Sequence, residues 1–358
     1  MAGIGVKLNR IFEKNTLTTN MVGFAYSAVA TIAPMMVIIL NLMLMEHVLG
    51  FSKVGYAQRE LFSCTVLYTF IFSLLTAAPF NSVLSRYMSD IIYEERYQDI
   101  LPCYYLGMVL NIGLSCLVGI PFCIREHFVG GVSVAYVFVG FGGYVSLVLV
   151  FYSMIYLSIC KDYERISAYF FAGMVLAFIA AVILKFIFHW GVCQSMLLAL
   201  AMGFFLTAVL ENALIKRYFR ENSNRYKPVI QYFKKYWQLV VTNCLYILGL
   251  YIHNFVFWTT DARMTVVKSF VCNQSYDMAS CIAMFTNISA TVIFISRVEM
   301  HFHEKYKMYS EAVIGGRGSD IKTTKQRMFR QLASELMTLV RIQFIISVVI
   351  YLLCIIFL

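Results

Sequence analysis

The sequence predicts an all-α, polytopic membrane protein of about nine transmembrane helices, and three observations predict it: the composition, the spacing of the charges, and the side on which they fall. Of 358 residues, 60% are apolar and only 13% charged, against about a quarter charged in soluble domains. Water is excluded as the main solvent. The few charges are segregated, leaving nine uncharged stretches at 15–45, 61–85, 100–124, 127–160, 166–184, 186–210, 236–260, 278–296 and 342–358. All but the last exceed the roughly 18 residues that a spanning helix needs. Strands of an outer-membrane barrel are about ten residues long and alternate lipid-facing with lumen-facing side chains. These continuous runs are therefore helices, the remaining way to satisfy the backbone in lipid.

Orientation follows from Lys and Arg. Lys7, Arg10 and Lys14 precede the first stretch with no small-residue cleavage site after it, so the N-terminus reads as a cytoplasmic amphipathic lead-in. The N-terminus and the connections after the second, fourth, sixth and eighth stretches carry 22 Lys and Arg, and the alternate connections carry 6, with only Arg341 at a helix end uncounted. The positive-inside rule places the first set in the cytoplasm and residue 358 outside. The net charge of +10 is explained by that bias and by anionic lipid, with no nucleic-acid partner.

Six stretches in residues 1–210 form an N-terminal lobe, residues 211–236 a basic cytoplasmic connector, and residues 237–358 a partial C-terminal lobe of three more helices. This is the layout of a two-lobed, flippase-like transporter whose second lobe is incomplete. The chain reads as a fragment lacking about three helices, or else as a nine-helix protein. Apolar residues recur at helical spacing at Val298, Phe302, Tyr306 and Tyr309, and again at Met328, Leu332 and Leu339. Residues of about 297–336 are expected to form a cytoplasmic helical hairpin turning near Gly316, with Ser319 or Asp320 capping the returning helix.

Ten cysteines sit mostly in apolar stretches without a Cys-x-x-Cys pair, and only Cys272 is expected to be oxidisable. His301 and His303 are the nearest approach to a metal site. Two residues apart on a helix they diverge, so neither metal nor cofactor is expected.

Polar side chains inside the membrane point to a pathway, because a charge at the helix centre costs about 2.5 to 3.5 kcal/mol on insertion scales. Thr65, Thr69, Ser73 and Thr76 form one hydroxylated stripe, continued by Asn81 and Arg86. Such a stripe either lines a lumen or bonds its own backbone and packs small against a neighbour. Asn243 and Asn254 share a face of the seventh helix, and Asn287 lies on the eighth. These amides either bind sugar hydroxyls or glue helices together. Pro34 is expected to kink the first helix. Glu46, Asp90 and Glu211 all fall at the ends of stretches, which argues against simple ion-coupled drug export. No nucleophile with a base and an orienting partner is seen, so an enzyme is not expected.

Four segments resemble one family. MAGIGVKLNRIFEKN at the start, SAVATIAPMMV around Pro34, SRYMSDIIYEERYQDILP from Ser85 to Pro102, and the segment from Ser275 to Val313 resemble PelG, of the multidrug, oligosaccharidyl-lipid and polysaccharide flippase superfamily. The resemblance implies a twelve-helix, two-lobed fold, of which nine helices are present. It also implies export of an amino-sugar exopolysaccharide across the cytoplasmic membrane, beside the glycosyltransferase PelF and the membrane partners PelD and PelE. A small-molecule antiporter and a scaffold recruiting a cytoplasmic glycosyltransferase are the alternatives.

Overall fold

Charged residues end an apolar run in the sequence, but they do not end a helix. The computed structural model describes residues 33–34, 36–160, 162–294 and 300–357, and its helices run well past the charges that bound the uncharged stretches. The elements are α1 (Met36–Leu49), α2 (Tyr56–Tyr93), α3 (Ile100–Phe128), α4 (Val134–Ile159), α5 (Tyr163–Phe186), α6 (Val192–Tyr218), α7 (Lys227–Lys235) and α8 (Trp237–Trp258). An antiparallel hairpin follows, β1 (Met264–Val266) and β2 (Phe270–Cys272), then α9 (Gln274–Ile293), α10 (Met300–Gly315) and α11 (Gly318–Phe357). The chain is all-α and polytopic: among the described residues, seven helices are long and apolar enough to cross a membrane. The expected eighth span is helical as α9 but is not one of the seven; Gln274, Asp277, Thr286 and Asn287 dilute its apolar character.

Two compact units divide the described chain. In the unit Pro34–Asp277, α2 is the central strut, packing against α3, α4, α8 and both strands, while α5 and α6 pair closely beside α4. Pro79 and Pro121 lie inside α2 and α3 without ending them. The outward residues are apolar and exposed, such as Leu117, Phe138, Phe171 and Phe205, as suits side chains solvated by lipid. In the other unit, which includes Met278–Leu358, α10 and α11 pack against each other across a turn at Gly316 and Arg317. The Asp320 carboxylate accepts from the Arg317 backbone N–H at 3.2 Å, satisfying one of the first donors of α11. Farther along, Gln343 donates to the Thr286 carbonyl at 2.8 Å.

Small residues set a close crossing between α5 and α6. A Cβ on Gly203 would lie 2.7 Å from the Gly173 carbonyl oxygen, and one on Gly173 would lie 2.6 Å from that of Gly203. Without a hydrophobic drive between helices in lipid, such backbone proximity supplies the packing.

At one end of this unit, aspartates tie the basic connector down. Tyr232 of α7 donates to Asp90, Ser223 donates to Asp99, and Tyr218 donates to Asp162. Arg86 lies over the Tyr236 ring, 4.3 Å from its centroid. Removal from water, followed by the bond to Asp90, pushes the Tyr232 pKa up to about 12.

Three variants test this packing. Gly203→Val should cost about 1 to 3 kcal/mol by overpacking, read as a lower melting temperature in detergent. Gly249→Val, where an added Cβ meets nothing within 4 Å, should leave the melting temperature unchanged. A tyrosine with a raised folded-state pKa contributes stability below the unfolded value of about 10 and loses it as pH rises through about 12. The melting-temperature gap between the native chain and Tyr232→Phe should be widest below about pH 10 and close toward about pH 12.

Candidate functional site

The hydroxylated stripe of α2 faces α3 and α4, and a cavity of about 220 Å3 opens between them. Thr65, Tyr68, Thr69 and Phe72 of α2 form one wall; Val118, Gly119, Phe122, Cys123 and Glu126 of α3 form the second. Tyr136, Val137, Gly140, Phe141 and Tyr144 of α4 form the third, and Phe270 of β2 closes the end. Glycines at 119 and 140 leave the space: a Cβ at Gly119 would come 2.7 Å from the Phe141 ring.

Its surface is almost wholly apolar, made of aromatic faces with few hydroxyl edges, and those hydroxyls are bonded within the wall. Thr65 Oγ1 lies 3.1 Å from the Tyr136 hydroxyl and donates to the Leu61 carbonyl at 2.7 Å. Thr76 Oγ1 lies 2.6 Å from the Tyr144 hydroxyl. Tyr68 is the hub. Its hydroxyl donates to the Val271 carbonyl at 2.6 Å and accepts from the Val271 N–H at 3.2 Å. Its ring stacks on Trp258 at 4.8 Å and meets Phe72, Phe122 and Phe270 at 5.7, 5.7 and 5.4 Å. Glu126 is the acid in the lining; it is 1% exposed, accepts from Ser269 Oγ, and has Arg125 Nη1 at 3.4 Å.

The candidate residues of the sequence fall in several places. Thr65 and Thr69 line the cavity. Ser73 is fully buried and donates to the Phe70 carbonyl at 2.9 Å, while Thr76 stands behind Tyr144. Asn81 is half-buried, and its Oδ1 has no hydrogen-bond partner. Arg86 is exposed against Tyr236. Asn243 donates to the Ala78 carbonyl of α2, which is the gluing role. Asn254 donates to Asp277 at 2.8 Å, and Trp258 Nε1 donates to the same carboxylate at 3.1 Å, so Asn254 braces the ring on which Tyr68 stacks. Pro34 is buried, but the helix expected to kink there lies largely outside the described residues. The side chain of Asn287 lies outside them as well.

Two features escape a reading of the sequence. The aromatic walls come from three helices and a strand, and no single periodicity joins them. Glu211 also changes the account of acids at membrane depth: α6 continues to Tyr218, and Glu211 is 0% exposed with neither carboxylate oxygen hydrogen-bonded. A boundary drawn at the first charge had put it at a helix end.

A bundle of long apolar helices, with an aromatic cavity among three of them, defines a polytopic membrane protein. The model of the PelG family, described as "Putative exopolysaccharide Exporter (EPS-E)", matches residues 1–358, and the chain belongs to that family. No curated protein matches it.

The Asp277 bracket yields a test. Asp277→Ala would leave the Trp258 and Asn254 donors buried and unpaired, at about 1 to 3 kcal/mol. The expected readout is a lower melting temperature together with changed Trp258 emission.

Proposed function

We propose that the chain carries an amino-sugar exopolysaccharide across the cytoplasmic membrane and that the cavity between α2, α3 and α4 holds a sugar ring of the passing polymer. The lining carries the reading. The negative faces of aromatic rings attract polarised C–H bonds and ammonium groups, and hydroxyls at their edges pair with sugar hydroxyls. Glu126 adds a carboxyl group that can accept from an amine or hydroxyl of the sugar. Such a surface holds each ring weakly enough to release it, as a conducted chain requires.

Orientation completes the proposal. The end carrying Asp90, Asp99, Asp162 and the basic connector faces the cytoplasm, by the excess of Lys and Arg there. The β1–β2 hairpin and the Phe270 end of the cavity then face outward. We read the protein as a conduit rather than an enzyme, supported by its membership of an exporter family. The partner that would deliver polymer is a cytoplasmic glycosyltransferase of the PelF kind, with PelD and PelE as membrane partners, and the α10–α11 hairpin is the docking element we assign to it. The buried Glu211 removes the sequence's argument against ion coupling, so a small-molecule antiporter is a second reading; drug accumulation in cells with and without the protein separates the two.

Thr65→Leu/Thr69→Leu, which fills the cavity and removes two lining hydroxyls, should abolish polymer export at least tenfold while insertion stays normal. Unchanged secreted polymer would remove the cavity from the pathway. Deletion of residues 300–330 should release the glycosyltransferase from the membrane fraction; retention there would refute the docking role.

A further inference from the structure

We propose that Cys64 and Cys272 form a disulfide that staples the β1–β2 hairpin to α2 over the outer end of the cavity. Three rungs align the two elements. Glu60, Cys64 and Tyr68 are four residues apart on α2 and so share one face. Opposite them, Gln274 Nε2 lies 3.4 Å from Glu60 Oε1, and Val271 exchanges two hydrogen bonds with the Tyr68 hydroxyl. Cys272 falls between those partners, as Cys64 falls between Glu60 and Tyr68. The α2 and β2 segments hold Cα atoms within 8 Å of one another, so a small backbone shift brings a facing pair into the roughly 4.4 to 6.8 Å that a bridge spans. Both cysteines are buried free thiols in this structure, at 2% and 3% exposure.

Other uses of the pair are weaker. A structural zinc needs four ligands, and among the described residues no group of three or more His, Cys, Asp or Glu converges. A merely reduced buried pair is stable in a cytosol, whereas thiols on the outer side of the membrane meet an oxidising compartment. In that respect the inference rests on the orientation proposed above.

The chemistry balances with an exchanging disulfide R–S–S–R as oxidant, small-molecule or protein. The Cys272 thiolate attacks one sulfur of the oxidant, breaking its S–S bond and expelling one thiolate. The Cys64 thiolate then attacks Cys272 Sγ in the mixed disulfide and expels the second. The two cysteine protons end on two R–SH, and two sulfurs are oxidised as two are reduced. With both thiols buried in the closed hairpin, the exchange belongs to folding, before β2 seats on α2.

The test counts thiols on the full chain in its native membrane, denatured directly into a maleimide. Two of the ten cysteines should resist alkylation until reductant is added, and peptide mapping should find Cys64 linked to Cys272. Cys64→Ser should free Cys272 for alkylation. Proteolysis at Arg263 and Lys268, in and beside the hairpin, should accelerate several-fold once a reductant is added. Ten alkylated cysteines without reductant would overturn the proposal, as would two resistant thiols in Cys64→Ser/Cys272→Ser. Labelling of Arg263→Cys in that double-serine background by a membrane-impermeant maleimide reports the orientation separately. Free thiols beside an externally labelled Arg263→Cys would thus refute the staple alone.

Discussion

Hydrocarbon cannot hydrogen-bond, and that constraint shapes the polar groups along the centre of this bundle. The central strut α2 shows how it is met. Thr65 bonds Leu61 and Tyr136, Ser73 bonds Phe70, and Thr76 bonds Tyr144. Each hydroxyl is satisfied by a carbonyl one turn back or by a tyrosine from α4. The strut is thereby both the packing core of the unit and the hydroxyl-bearing wall of its cavity. Structure and candidate pathway share the same residues, so the hydroxyls left to a passing sugar are the edges of bonds the fold already makes.

Tyr68 joins the two roles most tightly. Its hydroxyl is fixed by both backbone groups of Val271, and its ring is fixed by Trp258, which Asp277 holds in turn. The buried aspartate, the hairpin and the aromatic wall therefore form one connected assembly. Disturbing Asp277 or Trp258, which stand behind the wall, displaces the cavity's lining without touching the cavity itself. Close backbone approach at Gly173 and Gly203 performs the corresponding service for α5 and α6, where few polar groups are available.

How much of this was legible in the sequence follows from the range of each signal. Uncharged length gave the helices, because lipid acts on each span independently. Their ends were misjudged: Glu60, Glu126 and Glu211 looked like boundaries, yet α2, α3 and α6 run through them and bury their carboxylates. A charge marks a helix end only if it must reach water, and these three are instead enclosed by neighbours. The α2 stripe was visible because its spacing lies within one helix. The rings were not, since with 30 Phe and 24 Tyr no single aromatic residue is informative, and Phe122, Tyr144 and Phe270 meet only through tertiary packing. The spacing of Asn243 and Asn254 suggests one face, but only their partners, Ala78 and Asp277, reveal them as braces.

A cavity that holds a sugar ring against Tyr68 must alter the environment of the indole stacked behind it. With Trp190 and Trp237 replaced by phenylalanine, Trp258 becomes the sole tryptophan and its emission reports the Tyr68 wall. Titrating the purified chain with a soluble amino-sugar oligosaccharide should shift that emission saturably. Emission that stays constant while the same oligosaccharide binds by equilibrium dialysis would contradict the cavity as the polymer's site.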